Sequence, residues 1–229
     1  MTTINAPIRK RFHLVFDVET TGLIPRTPRG SMTPLPITDY PYIIQLSCVV
    51  YDMFEKRVVR KLDSYIKIPD HIEIPLEVSE LTGIYKDDCV VKGRDMSRVL
   101  MDLYDAYMMC QGLVAHNMDF DENMILIEIE RNRAYLEKNA PYCFTLFNNI
   151  YEKINNIERY CTMKNGTNIC NIMVPSKIEG KPATKKWPKL KELHAHLFDG
   201  EVPENLHNSM VDVMACLKCY LKMRHSLMV

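Results

Sequence analysis

The chain has 229 residues, 47% of them hydrophobic and 25% charged, with a formal net charge of zero. That is the balance of an ordinary globular protein, long enough to bury a core without disulfide staples. A neutral chain has no global field to draw in a polyanion, so any nucleic-acid contact must come from a local basic patch.

Met1 to Phe12 is polar, carries Arg9, Lys10 and Arg11, and is followed by no apolar signal segment. No run approaches membrane-spanning length, so no membrane contact is expected. Of the eight cysteines, only Cys216 and Cys219 are close in sequence, in a helix-like stretch where packing is the simpler role. Free thiols imply an intracellular, reducing place, the cytoplasm or the nucleus.

Phe12 to Phe16 reads as a buried strand that runs into Asp17, Glu19 and the turn Thr20-Thr21-Gly22. Residues 24–41 hold Pro25, Pro28, Pro34, Pro36 and Pro41 and read as a long, mobile loop. Ile43 to Asp52 is a second strand, Met53 to Lys56 a turn, and Arg57 to Ile68 a third strand paired antiparallel to the second. Leu76 to Leu81 is a short helix ended by Gly83, Asp95 to Met109 carries a helical apolar stripe, and Gly112 to Ala115 is a fourth strand. One long helix is expected over Phe120 to Leu136, mixed structure over 137–157, and a fifth strand over Ile157 to Cys161. Lys177 to Lys191 is basic and loop-like, and Pro188 to Leu197 and Ser209 to Met223 read as helices. Three early strands followed by alternating helices and strands describe one α/β domain over 1–229, with a mixed sheet in three layers.

Asp17 and Glu19 stand at i and i+2 on a strand of period two, so both side chains leave one face. Open α/β sheets bind ligands at the carboxyl ends of their strands. A solvated acidic pair at a turn is the plain alternative. His116-Asn117-Met118-Asp119-Phe120-Asp121 follows another strand end, where either aspartate suits the start of the next helix. His207 and Asp212 are five residues apart and would point about 140° from each other on one helix. They share a site only if Asn208 or Ser209 caps the helix and leaves His207 outside it. A variant capping box, Ser209-x-x-Asp212, is the alternative in which Asp212 does no chemistry.

Together, Asp17-Val-Glu19-Thr-Thr-Gly, His116-Asn-Met-Asp-Phe-Asp121 and His207-x4-Asp212 resemble the three motifs of the DEDDh 3′→5′ exonucleases. That family includes the proofreading epsilon subunit of bacterial DNA polymerase III and ribonuclease T. The resemblance covers residues 12–223. It implies a ribonuclease H-like fold with a five-stranded mixed sheet flanked by helices. It implies that Asp17, Glu19, Asp121 and Asp212 hold two Mg²⁺ or Mn²⁺ ions and that His207 is the general base, with Asp121 rather than Asp119 as third acid. The chemistry agrees: four carboxylates in one pocket repel unless cations neutralise them, and oxygen ligands suit these ions. Two ions ~4 Å apart clamp an in-line displacement. A histidine of ordinary pKa ~6.5 takes a proton at neutral pH. Against the family pattern, loop 24–41 is long, residues 137–160 read as an insertion, and Thr82 stands where many relatives carry a histidine.

By the same resemblance, the turn Thr20, Thr21, Gly22 and Leu23 receives the 3′-terminal nucleotide, with Leu23 as an apolar wedge; a buried turn leucine is the alternative. Asn117 meets the scissile phosphate or supports its turn. Trp187, the sole tryptophan, lies in a lysine run that includes Lys185 and Lys186, which suits a single strand by charge and stacking; Trp187 stapling the next helix into the core, and a merely solvated charge run, are the alternatives. Arg26 and Arg29 offer similar charge. The expected substrate is the 3′ end of single-stranded DNA, with nucleoside 5′-monophosphates as products and a polymerase as partner in any proofreading. An RNA 3′-end-trimming enzyme on the same scaffold is the first alternative, and contacts to the 2′-hydroxyl decide between them. A non-catalytic nucleic-acid or polymerase-accessory module is the second, and it has no need of a repulsive acid cluster.

Overall fold

Alternating apolar side chains set the sheet. In a computed structural model, which describes residues 10–26, 35–176 and 180–227, strand β1 (Phe12–Thr20) sends Leu14, Phe16 and Val18 to one face and Val15 to the other. Strand β2 (Ile43–Asp52) is buried along its whole length and pairs antiparallel with β1 and with β3 (Arg57–Tyr65). Three helices follow: α1 (Leu76–Thr82), closed by Gly83 in the left-handed region at φ 72°, α2 (Lys86–Val91) and α3 (Met96–Met108). Strand β4 (Gly112–Ala115) then runs parallel to β1. Helices α4 (Met118–Arg131), α5 (Arg133–Asn139) and α6 (Asn149–Ile154) lead to β5 (Glu158–Cys161), parallel to β4. The chain ends with α7 (Thr162–Cys170), a small hairpin of β6 (Met173–Val174) and β7 (Thr184–Lys185), α8 (Leu190–Leu197) and α9 (Ser209–His225).

The main sheet has the order β3-β2-β1-β4-β5. One apolar cluster packs α3 and α4 on one face; a second, built on Val15, Val49 and Val114, packs α8 and α9 on the other. These are the three layers and the mixed five-stranded sheet expected from the sequence, and the ribonuclease H-like architecture. Because β1, β4 and β5 are parallel, their carboxyl ends share one edge. At the opposite end of β4, Gly112 lies against the buried His13 ring, where an added Cβ would stand 2.1 Å from Cδ2.

Several elements differ from the sequence reading. Strand β1 continues past Phe16, so Asp17 and Glu19 are still in the ladder, opposite Ser47 and Gln45. Strand β3 stops at Tyr65, and only a bridge from Ile66 to Arg94 continues it. The long helix over Phe120 to Leu136 is two helices. Asn132 breaks it, at φ −99° and ψ 11°, and donates from its own amide to the Glu128 carbonyl in competition with the backbone. Helix α2 is too short to show a period. Helix α7 contains Asn165, Gly166 and Asn168, weak helix formers, and Gly166 is where Leu193 of α8 presses close. Residues 137–160 form the end of α5, a 3₁₀ turn at Pro141–Thr145, α6, which returns to α3 through the Tyr107–Glu152 hydrogen bond of 3.0 Å, and the start of β5. Of loop 24–41, residues 27–34 and hence Arg29 fall outside the described residues, as do Lys177 and Glu179 of the basic run; residues 35–41 contain a 3₁₀ turn at Ile37–Asp39. All eight cysteines are free thiols, with Cys216 and Cys219 buried against the sheet. Among the described residues no helix is long and apolar enough to cross a membrane.

Candidate active site

The acids converge because neighbouring strands carry them to one face. Asp17 and Glu19 share the parity of Val15, the face on which α9 lies. Their direct partners on β2 are Ser47 and Gln45, and both bond the first residue of α9. The Ser47 and Ser209 hydroxyls are 2.6 Å apart, and the Ser209 amide donates to Gln45 Oε1 at 3.1 Å. This docks the start of α9 beside the two strand acids, and Asp212 in its first turn faces them. A register shift between Glu19 and Thr20 then turns the chain out of the ladder.

Asn208 caps α9, its side chain accepting from the amides of Met210 and Val211. His207 is therefore outside the helix, in the left-handed region at φ 72°, and the 140° problem disappears. Asp212 does not box with Ser209; its carboxylate accepts from the His207 amide at 3.3 Å. Glu19, His207 and Asp212 each offer a ligand atom within 4.8 Å of the others.

Asp121 arrives from the opposite layer. Asn117 adopts φ 66° and turns the chain from β4 into α4, a left-handed conformation that asparagine tolerates. Pairing of β4 with β1 ends at Val15, so the Val18 amide lies past the last β4 partner and donates to Asp121 Oδ1 at 3.2 Å. Asp121 is 2% exposed, and its Oδ2 has no hydrogen-bond partner among the described residues. Asp119, two residues earlier, is exposed and ion-paired with Lys164 at 2.6 Å.

Asp17, Glu19, Asp121, His207 and Asp212 line one cleft of about 610 Å³. Burial, then the neighbouring acids, raise the carboxyl pKa values of Asp17 and Glu19, the latter to about 8. Burial raises Asp121 as well, opposed by the Val18 amide. It lifts Asp212 to about 6, opposed by the His207 amide. His207 is held below the ordinary imidazole value by partial desolvation and by Lys189 and Lys191. A larger cleft of about 700 Å³, between α3, α4 and the end of β3, has no such cluster, so volume alone does not locate the chemistry.

Leu23 and Trp187 both line the acidic cleft and are 83% and 62% exposed, so neither the buried turn leucine nor the core staple describes them. Thr20 bonds the Gly22 carbonyl at 2.7 Å, and Thr21 exchanges two hydrogen bonds with Tyr42. Lys185 bonds Asn168 and Lys186 pairs with Glu192, and neither lines the cleft. Lys189 and Lys191 line it instead, with His116, Met163 and Leu206. The basic run was visible in the sequence. Which lysines face inward depends on where β7 ends and α8 begins, and that boundary is set by packing. Arg26 is exposed and outside the cleft.

The donor set fits hard divalent cations: clustered, desolvated carboxylates with a partnerless oxygen are an unstable group of charges without them. The pKa directions give a test independent of activity. The acids are neutral below the ordinary carboxylate range, so their repulsion is absent there. It grows as pH rises through the raised values of these acids, Glu19 at about 8 among them, so the metal-free fold loses stability in that direction. Mn²⁺ or Mg²⁺ at ~100 times its Kd should then add ~2.7 kcal/mol at about pH 8.5, or about 5–10 °C in Tm, and far less at about pH 5.5. An equal shift at both pH values in a thermal melt would contradict this electrostatic account.

A family model described as Exonuclease (RNase_T) matches residues 14–220. No curated protein matches the chain by sequence. Among solved structures, Escherichia coli exonuclease I in complex with a dT13 oligonucleotide aligns with a TM-score of 0.60 at 18% identity over 94% of this chain. The zinc-bound exonuclease I–single-stranded DNA complex gives 0.59 at 18%. In both, the chain spans only 42% of the exonuclease I chain. The nuclease domain of 3′hExo, a DEDDh member bound to rAMP, gives 0.58 at 15%, over 96% of this chain and 95% of that one. At these identities the structures establish the fold, while the family match runs through all three acidic motifs, and on that match the chain belongs to the RNase_T exonuclease family.

Proposed function

We propose that the chain hydrolyses single-stranded DNA from its 3′ end, one nucleotide at a time, releasing nucleoside 5′-monophosphates, and that in a proofreading role it acts beside a polymerase. The observation that carries this is the meeting of four carboxylates and one rim histidine in a single cleft, with Asp121 Oδ2 buried and without a hydrogen-bond partner among the described residues. Asp17, Glu19, Asp121 and Asp212 would hold two Mg²⁺ or Mn²⁺ ions, which supply Lewis-acid activation and neutralise charge on the phosphoryl group. His207, kept neutral at physiological pH, takes the proton of the attacking water through a ring nitrogen. The Thr20–Leu23 turn receives the terminal nucleotide, with exposed Leu23 against its base. Asn117 holds the turn that aims Asp121. Trp187, Lys189 and Lys191 form the opposite wall, where a ring stacks on a base and two ammonium groups meet phosphates.

A second reading, RNA trimming, is favoured by one observation: the 3′hExo domain, which this chain matches nearly end to end, is bound to rAMP. Incubation with 3′- and 5′-labelled single-stranded DNA and RNA, with and without Mg²⁺, separates the readings. We expect mononucleotides from the 3′ end, faster from DNA, and no cleavage in excess chelator. Full activity in chelator would sink the two-metal mechanism, and faster turnover of RNA would select the second reading.

A further inference from the structure

His116 opens the middle acidic motif, yet the chemistry above gives it no task. Its ring is half-buried at the end of β4 and bonded at both nitrogens. Nδ1 lies 2.9 Å from the Thr162 hydroxyl at the start of α7, and Nε2 lies 3.1 Å from the Pro188 carbonyl. A carbonyl only accepts, so Nε2 carries the proton, and Nδ1 accepts from Thr162. Burial pushes the imidazole pKa down to about 4, so this neutral tautomer persists at physiological pH.

Pro188 directly follows Trp187 in the Trp187–Lys191 wall. The segment is tied at its sides by the Lys186 amide to the Ile172 carbonyl and by the Lys189 amide to Glu192. Those bonds hold it to the hairpin and to α8. Leu190 packs on the sheet face, and among the described residues the His116 bond is the hydrogen bond that joins the segment to the end of β4. Without that bond Trp187, already 62% exposed, has little packing to keep it over the cleft.

We propose that His116 is a positioning residue whose Nε2–H latches the Pro188 carbonyl and seats the Trp187–Lys191 wall against the strand-binding cleft. The proposal rests on the reading of that cleft as the path of a single strand. It separates the two ring nitrogens, and two variants do the same. His116→Gln places an amide donor near the Nε2 position and keeps the latch. His116→Asn reaches only the Nδ1 position, keeps the Thr162 contact and loses Pro188.

Trp187 is the only tryptophan, so its fluorescence reports the wall directly. In substrate-free protein we expect His116→Asn to red-shift the emission and lower its anisotropy, with His116→Gln close to the parent. On oligothymidylate with Mg²⁺, His116→Asn should raise KM roughly tenfold, as expected of ~1.4 kcal/mol of lost binding, while kcat moves far less. Trp187→Ala, a surface change that leaves folding alone, should raise KM similarly. The proposal is overturned if Trp187 emission and KM of His116→Asn equal those of the parent. It is also overturned if His116→Gln behaves like His116→Asn, if kcat falls with KM unchanged, or if Trp187→Ala leaves KM unchanged. If the parent protein cleaves nothing, the nuclease reading fails, and the emission of the two variants still decides the latch.

Discussion

Replacing Asp121 by Asn should leave a folded protein that turns over at least ~10²–10³ times more slowly, because even one neutral, preorganised donor at a reaction centre is worth that much. The asparagine Oδ1 still accepts from the Val18 amide, so the link between β1 and α4 survives. What disappears is a carboxyl 2% exposed and surrounded by other acids, whose ionised form burial disfavours. The metal-free variant should therefore melt no lower than the parent at about pH 8, because an amide has no charged form to desolvate or repel its neighbours. Loss of activity with unchanged or increased stability is the expected signature of a functional acid. Asp119→Asn is the control. It loses only the exposed pair with Lys164, which contributes little to stability in solvent. It should keep most of the activity. An inactive Asp119→Asn beside an active Asp121→Asn would show that the motif had been read in the wrong register.

His207→Ala should lower kcat by roughly 10²–10⁴-fold, the usual contribution of a general base. Metal binding should survive, since all four acids remain, and so should the fold, since His207 is exposed and its backbone amide still reaches Asp212. A base works when unprotonated, so the parent rate should fall as pH drops through the His207 pKa. That pKa is lowered by partial desolvation and by Lys189 and Lys191, which puts this acidic limb below the ordinary imidazole value of ~6.5. Single-turnover cleavage at saturating metal, across about pH 5 to 9, should show the limb in the parent and not in His207→Ala. An unchanged rate and profile would remove His207 from the mechanism.

The acidic motifs were legible in the sequence because each is local. Asp17 and Glu19 share a face by the period of a strand, and Asn208 frees His207 from α9 by the chemistry of a helix cap. The layered mixed sheet was legible too, since Leu14 to Val18 and Ile43 to Asp52 have the apolar patterns of buried strands. Element ends were less so: Asn132 divides the expected long helix through a side-chain bond to the backbone that apolar spacing does not register.

What only the tertiary structure decided is which side chains meet across long separations. Gln45 and Ser47 bring α9 to the strand acids by bonds to a residue more than 160 positions away. No local pattern marks them, because a polar pair inside a strand looks the same whether or not a helix will dock there. The lysines behave likewise. Their charge is in the sequence, but Lys189 and Lys191 face the cleft while Lys185 and Lys186 are occupied by Asn168 and Glu192. The sequence by itself therefore determined the exonuclease family and, through short-range geometry, which acids and which histidine could be presented together. The packing of α8 and α9 on the sheet decided how those residues are aimed and which others stand around them, because burial and long-range hydrogen bonds are properties of the assembled layers.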